Sequence, residues 1–586
     1  MAMTESPWTP RVARLAALIL VLLLVLEARL WSLQAIQGPH YLQLSEQNRL
    51  RDIVIPAPRG VIYDRRGQPL VTNRPAFTVS VLPMEVRDPQ RLADALAPVL
   101  GMDRGEILAR LAAGRKRRFE PVALRRDATK AVVMTVEENR LDLPGVIVQA
   151  EPARDYLLGG LAAHALGYVA EVTEDELKTR PALRMGDLIG KAGIERTYDA
   201  ILRGKNGRLR IEVDAYGRPG RVLAREPAQP GQSLVLNLDA TLQAIAEEAL
   251  GNRTGAVVAI DPRNGEVLVL ASHPAFDPNQ FSGGISPANW RRLTGDRGLP
   301  LINRATEGAY EPGSVFKIFT GIAALSEGVA SRTSVIYCPG YIRLGAWVFR
   351  DLKAHGPVNF VRGTAVSCNV MFWTLGRALG DERIHRYAMM LGLGQATGID
   401  LPSEVPGLIP SAEWKVRVRK EPWYPGETLN MAIGQGYVQT TPLQIARAVG
   451  ALGTGGTLVR PRLARRVLSP DGAEVQTFSA QTSRVPLNAT AVATLREGMR
   501  LVVDGGTGRA AAVPGLAMAG KTGSAENPRG QPHAWFVGYA PADNPALVVV
   551  AFVEHGWRGG VRAAPIVKAV FAAAAGAGLI STDVRP

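Results

Sequence analysis

The sequence predicts an α+β protein with a single N-terminal transmembrane helix, a mixed α/β region, and a second domain in which an antiparallel sheet is flanked by helices and joined to a helical subdomain. Three observations carry this reading. One long uncharged segment lies near the start; a Gly-rich region of strands, helices and turns follows it; and strand pairs stand at both ends of the remaining chain with helices between them.

The anchor comes first. From Arg11 the chain reads RVARLAALILVLLLVLEARLWSL, with an uncharged core from Leu15 to Leu26 followed by Glu27, Arg29 and Trp31. A core this short also suits a signal peptide, but no small-x-small cleavage site follows, and Glu27, Arg29, Leu30 and Trp31 continue the helical pattern. The expectation is therefore a short cytoplasmic tail over 1–10 and an uncleaved membrane anchor over 11–35. Arg11 and Arg14 hold the N-terminus in the cytoplasm, with the rest of the chain outside.

The middle region is expected over 36–235. The stretch IPAPRGVIYDRRGQPLV (55–71) alternates on either side of Arg65-Arg66-Gly67 and predicts strand, turn, strand. Residues 88–150 read as mainly helical and 204–236 as strand and turn. The linker EPAQPGQS, from Glu226, then precedes a change of style. The second domain is expected over 236–580. It opens with an amphipathic helix capped by Asp239, then a hairpin around Asn264-Gly265 within 254–272. It closes with two strands over 533–554 and a helix from Ala563.

Composition narrows the function. The chain has 586 residues, 46% hydrophobic and 21% charged, which is the balance of a folded protein exceeding one ordinary core. Its net charge of +15 is scattered. The longest basic cluster is Arg115-Lys116-Arg117-Arg118, with no zinc-finger spacing or basic helix, and the expectation is no nucleic acid partner. Seven dispersed histidines show no ligand spacing, so no metal and no cofactor are expected. Two cysteines, Cys338 and Cys368, cannot make a disulfide framework; one bridge and two reduced, partly buried thiols both fit.

The chemistry is concentrated in the second domain. In YEPGSVFKIFT (310–320) a hydroxyl follows Pro-Gly at the mouth of an apolar run, with a lysine three residues on. A helix start capped by Ser314 is one reading. The other is a nucleophile, because i and i+3 share a helix face and burial among Phe316, Ile318 and Phe319 favours a neutral Lys317 amine that can take the Ser314 proton. Downstream come Ser367-Cys368-Asn369 and Lys521-Thr522-Gly523-Ser524. Acyl transfer through serine needs a base, a proton route, oxyanion donors and a grip on the substrate. Ser367 offers a hydroxyl relay and Asn369 an amide contact. Lys521 supplies a fixed cation, Thr522 and Ser524 present hydroxyls to a carboxylate, and Gly523 lets a backbone come close.

These clusters resemble the three motifs of penicillin-binding proteins. APRGVIYDRRG, AAHALGYVA (162–170) and GIERTYD (193–199) resemble the non-catalytic pedestal, or dimerisation-type domain, of class B members, and no segment resembles a glycosyltransferase. Within that class WYPGETLNMAIGQGY (423–437) and PHAWFVGYAP are most similar to the elongation transpeptidases, with the division-specific transpeptidases as the alternative. The resemblance implies D,D-transpeptidation of peptidoglycan stem peptides in cell-wall elongation, through a serine acyl-enzyme that β-lactams trap. Catalytic residues are then Ser314, Lys317, Ser367 and Lys521; substrate-binding residues are Asn369, Thr522, Gly523 and Ser524. The implied setting is the bacterial inner membrane, with the catalytic domain on the periplasmic side beside a SEDS-family (RodA-like) glycan polymerase. A D,D-carboxypeptidase, a β-lactam receptor and a non-catalytic activator of the polymerase are the rival readings. Ser524 stands where threonine is commoner in the family, which keeps the hydroxyl.

Overall fold

The structure is a computed structural model that describes residues 9–41, 50–114, 120–180, 182–213, 219–528 and 530–581. The basic cluster Arg115-Lys116-Arg117-Arg118 and most of the expected tail lie outside the described residues. Helix α1 (Thr9–Trp31) runs into a π-helical turn (Ser32–Ile36). It is long and apolar enough to cross a membrane, about 34 Å at 1.5 Å per residue, and its apolar side chains from Val12 to Trp31 are exposed.

The next elements are strands β1 (Leu50–Ile55), β2 (Ile62–Tyr63) and β3 (Pro69–Val81). The turn at Arg65-Arg66-Gly67 is formed as expected, with Gly67 at positive φ. Between 88 and 150 the helical reading is only partly met. Helices α2 (Pro89–Leu100), α3 (Arg104–Gly114) and α4 (Lys130–Glu138) are present, but Val122–Ala128 is strand β4 and Val146–Tyr156 is strand β5. Pairing decides this: β5 lies antiparallel along β3 from Val71↔Tyr156 to Val81↔Val146, a tertiary contact that short-range pattern does not reveal.

Strands β6 (Gly207–Val213), β7 (Pro219–Glu226) and β8 (Ser233–Leu236) lead into helix α5 (Ala240–Leu250), capped by the Asp239 carboxylate on the Leu242 N–H. Hairpin β9 (Gly255–Ile260) and β10 (Val267–His273) follows. Farther on come β11 (Ala464–Leu468), β12 (Glu474–Thr477), β13 (Ala519–Ala525), β14 (His533–Ala540) and β15 (Leu547–Val553).

Among the described residues, the second half of the chain is built on a five-stranded antiparallel sheet in the order β10-β9-β15-β14-β13. Both faces are covered, so its strands read as near-continuous apolar runs. Val257, Ala259, Val549 and Ala551 face Leu242 and Ala246 of α5 together with Ile566 and Val570 of the C-terminal helix Ala564–Gly576. Ala256, Val258, Val548 and Val550 face the cluster that contains Phe316 and Phe319. The termini of the domain thus close one sheet, and Phe316 and Phe319 pack on its far face.

A second, seven-stranded sheet crosses the boundary expected at residue 235. Strand β8 pairs parallel with β2 (Leu234↔Ile62) and antiparallel with β11 (Leu234↔Val467), giving the path β12-β11-β8-β2-β3-β4 with β5 on β3. Tyr198 also reaches across, donating to Asp400 Oδ2 at 2.9 Å, while Asp400 accepts from the Leu463 and Ala464 N–H groups. At the base of this region a buried ion cluster joins distant segments. Glu195, fully buried, bonds Arg154 at 2.6 Å and Arg59 at 2.7 Å, and Arg59 also holds Asp199 at 2.9 Å.

Candidate active site

Ser314 lies in a single 3-10 turn, Gly313–Val315, and helix α6 (Lys317–Ser326) begins three residues later. The serine is therefore not a side-chain helix cap. The turn is held by backbone approaches that only glycine permits. Gly313, at φ 52°, donates its N–H to Gly434 O at 2.9 Å, and a Cβ at Gly313 would stand 2.7 Å from Ser524 O. A Cβ at Gly523 would lie 2.6 Å from Pro312 O, so the close approach expected of Gly523 is made against the loop that carries Ser314. Trp535 is fully buried in the sheet core, and its indole N–H donates to Glu311 O at 3.0 Å, pinning the same loop.

Lys317 is fully buried. Its amine does not bond Ser314 among the described residues. Instead Nζ donates to Ser367 O at 2.8 Å and to Asn369 Oδ1, and lies 3.3 Å from Ser367 Oγ. Contact at i, i+3 spacing needs one continuous helix, whereas Ser314 sits in the tighter turn before it. Burial lowers the Lys317 pKa to about 8, partly opposed by Asp351 and Cys368. Lys521, also fully buried, is held well below the usual lysine range by burial and then by Lys317. Its Nζ donates to Ser367 Oγ at 2.8 Å.

Ser367 adopts φ 58°, a left-handed conformation rare for a residue with a Cβ. This kink turns its hydroxyl to the two amines just before helix α7 (Asn369–Leu379). Cys368 turns inward, its Sγ capping the Met371 N–H at 3.4 Å. Thr522 shares a 2.7 Å hydroxyl contact with Thr507, and Ser524 is exposed on the cleft side of β13. Ser314, Lys317, Ser367, Asn369, Lys521, Thr522, Gly523 and Ser524 thus come from a turn, two helix starts and one strand; the two lysine amines meet at Ser367 Oγ, while Gly523 and Ser524 lie against the turn that carries Ser314.

Sequence reading missed Asp351. Its Oδ2 accepts from the Asn369 N–H at 2.7 Å and the Val370 N–H at 3.3 Å, which anchors the start of α7 from behind. Asp351 belongs to a cluster with Cys338, His355 and Cys368 whose donor atoms all lie within 4.8 Å of one another. Cys338 Sγ is 3.4 Å from His355 Nδ1 and 3.7 Å from Asp351 Oδ2, and both cysteines are free thiols. Two sulfurs, an imidazole and a carboxylate make a donor set suited to Zn2+. Irregular spacing across 338–368 hid it from motif reading.

Two buried amines converging on the hydroxyl of Ser367, which is held at positive φ, with a second serine on a 3-10 turn and the exposed Ser524 on the edge strand, make the kind of site a transpeptidase needs. The comparisons agree in kind. Residues 255–572 match the penicillin-binding protein transpeptidase domain, and residues 54–236 the penicillin-binding protein dimerisation domain. The chain belongs to the penicillin-binding protein transpeptidase family. It is 36% identical to the peptidoglycan D,D-transpeptidase MrdA of Acinetobacter baumannii, over 94% of this chain and 86% of that protein. It is 33% identical to MrdA of Escherichia coli K12, over 92% and 90%. Among solved structures, PBP2 of Helicobacter pylori in complex with MreC covers 91% of this chain and 100% of its own, at 28% identity and TM-score 0.80. Pseudomonas aeruginosa PBP2 in complex with WCK 5153 covers 92% and 100%, at 31% identity and TM-score 0.70. A chain from a peptidoglycan synthase complex that coordinates polymerization and crosslinking covers 96% and 98%, at 35% identity and TM-score 0.70.

Proposed function

We propose that this protein is the peptidoglycan D,D-transpeptidase of cell-wall elongation and that it works through an acyl-enzyme on Ser314. The observation that carries this reading is the meeting of Lys317 and Lys521 on Ser367 Oγ beside the Ser314 turn. Two N–H bonds from Lys317, to Ser367 O and Asn369 Oδ1, leave the lone pair of a neutral amine for the serine proton.

Ser314 Oγ attacks the carbonyl between the two terminal D-alanines of a stem peptide, and its proton passes to Lys317. The backbone N–H groups of Ser314 and Ser524 stabilise the oxyanion. As the C–N bond breaks, the departing D-alanine amine takes a proton through Ser367, which Lys521 keeps oriented. Thr522 and Ser524 hold the terminal carboxylate, and Asn369 holds the peptide amide. An amine from a second stem then attacks the ester, its proton returns along the same route, and Ser314 is restored. β-Lactams enter the first half of this cycle and stall there.

Helix α1 is the membrane anchor, and the catalytic half faces the periplasm, where its substrate lies. Residues 36–235 serve coupling to a RodA-like glycan polymerase rather than chemistry, a role supported by the structural relative from a peptidoglycan synthase complex. The experiment is covalent trapping. Labelled penicillin stays on the peptide containing Ser314, and Ser314→Ala abolishes labelling while circular dichroism is unchanged; persistent labelling of the variant overturns the nucleophile assignment.

A further inference from the structure

Helix α8 (Ala412–Arg419) has its polarity inverted. Its apolar Val416 and Val418 are 55% and 54% exposed, whereas Lys415 is 1% exposed. Burying a lysine costs desolvation that only a well-placed counter-charge offsets. That counter-charge is Glu427. Lys415 Nζ donates to Glu427 Oε1 at 2.5 Å, stands 3.5 Å from Glu421 Oε2, and lies 4.4 Å from the centre of the Tyr424 ring, whose face attracts a cation.

Glu427 belongs to helix α9 (Pro425–Ala432), and its second oxygen accepts the Tyr424 N–H at 2.8 Å, closing the first turn. One carboxylate therefore holds both the helix start and the lysine. The other end of α9 reaches the site. Ala432 O accepts from Thr320 Oγ1 of α6 at 2.8 Å, and Ala432 faces Gly376 of α7, the helix that starts with Asn369. Two residues on, Gly434 O accepts the Gly313 N–H, next to Ser314, at 2.9 Å. Helix α8 brackets this segment at both ends, because the Trp414 ring packs 5.3 Å from that of Tyr437 while Lys415 grips Glu427. Helix α9 has eight residues and spans about 12 Å at 1.5 Å per residue, so a shift of its start is transmitted through close packing to Gly434.

We infer that Lys415 is a positioning residue for acylation: through Glu427 it sets where α9 ends, and so where the Ser314 turn is held relative to Lys317 and Ser367. The inference rests on the reading of Ser314 as the acylated residue and adds a group that acts on it through another. Acylation is sensitive to such placement, since a misplacement of about 1 Å costs about a hundredfold in rate.

The test uses the full chain in detergent and a fluorescent penicillin, with stopped flow over a range of penicillin concentrations to separate non-covalent affinity from the first-order acylation constant. Lys415→Met lowers that constant by about tenfold to a hundredfold, the range for a displacement of up to 1 Å, with little change in affinity. Glu427→Gln does the same, and the double variant is no slower than either single one, as for two ends of one strut. Lys415→Arg keeps the charge and regains part of the constant. Loss of folded molecules lowers the amplitude of the reaction and not its first-order constant, so a residue that only supports the fold leaves the constant at its wild-type value. Glu427→Asp, which keeps both charges and shortens the reach, slows acylation severalfold and decides the matter if Lys415→Met does not fold. A wild-type constant in folded Lys415→Met or in Glu427→Asp, or a double variant whose loss is the product of the two single losses, overturns the positioning role alone. A wild type that penicillin does not acylate at Ser314 overturns the acyl-enzyme reading, and the positioning role with it.

Discussion

Lys521 Nζ and Ser367 Oγ stand 2.8 Å apart, with Lys317 Nζ 3.3 Å from the same oxygen. Three motifs separated by up to two hundred residues, roughly, therefore meet at one hydroxyl, and neither lysine is in contact with solvent. The first expectation follows from that geometry. Lys317→Ala slows acylation by labelled penicillin at least about a hundredfold, the lower end for loss of a positioned general base. Stopped-flow acylation measures it, and a near-native rate assigns the proton to another group.

The pH dependence carries a sign. In the proposed mechanism Lys317 acts as the neutral amine, and burial has brought its pKa down to about 8. The active form is scarce below that value and predominates above it, so the acylation rate climbs about tenfold per pH unit in the acidic limb and levels off above about pH 8. A rate that falls as pH rises from 6 to 8 contradicts a neutral Lys317 base.

In the proposed mechanism Lys521 contributes through position as well as charge. Lys521→Ala loses acylation by penicillin, whereas Lys521→Arg keeps the cation but not a single amine that fits beneath Ser367, and retains only part of the rate. Equal loss in the two variants assigns the effect to fit alone.

The Glu195 cluster gives a stability expectation. Glu195→Gln leaves Arg154 and Arg59 buried with their principal counter-charge removed, and breaking a buried ion pair from one side costs about 3–5 kcal/mol. Denaturant unfolding of the full chain measures this. A change below about 1 kcal/mol shows that Asp199 alone neutralises Arg59 and that Arg154 finds water.

The four-donor cluster gives a spectroscopic one. Co2+ added to the reduced protein produces an intense thiolate-to-cobalt absorption, which Zn2+ displaces and Cys338→Ser weakens. No absorption beyond that of aqueous cobalt shows that the donors do not converge on a metal.

Much of the site was legible because its motifs are local. Ser314, Ser367 and Lys521 each sit in a short cluster, and chemistry alone asks for the three together. Asp351 was not legible, since its contact with the Asn369 N–H depends on how a hairpin folds back onto a helix start. The Lys317 amine was aimed at Ser314 by helical spacing, and the 3-10 turn redirects it to Ser367. In the fold, Asp239 capping and the Asn264-Gly265 hairpin could be read from local signals. Strands β4 and β5 could not, because their partner β3 lies far earlier in the chain. The composition change after Glu226 was real as text, yet hydrogen bonding does not stop there.

Strand β8 has a consequence for how such proteins can be recombined. A chimera cut at residue 235 would separate a rung from the ladder on both its sides, since Leu234 is matched to Ile62 on one flank and to Val467 on the other. Modules that look exchangeable along the chain are interleaved in space. A working hybrid between two such proteins has to inherit 62–81, 233–236 and 464–477 from the same parent, and the catalytic half travels with a splint of its neighbour wherever it goes.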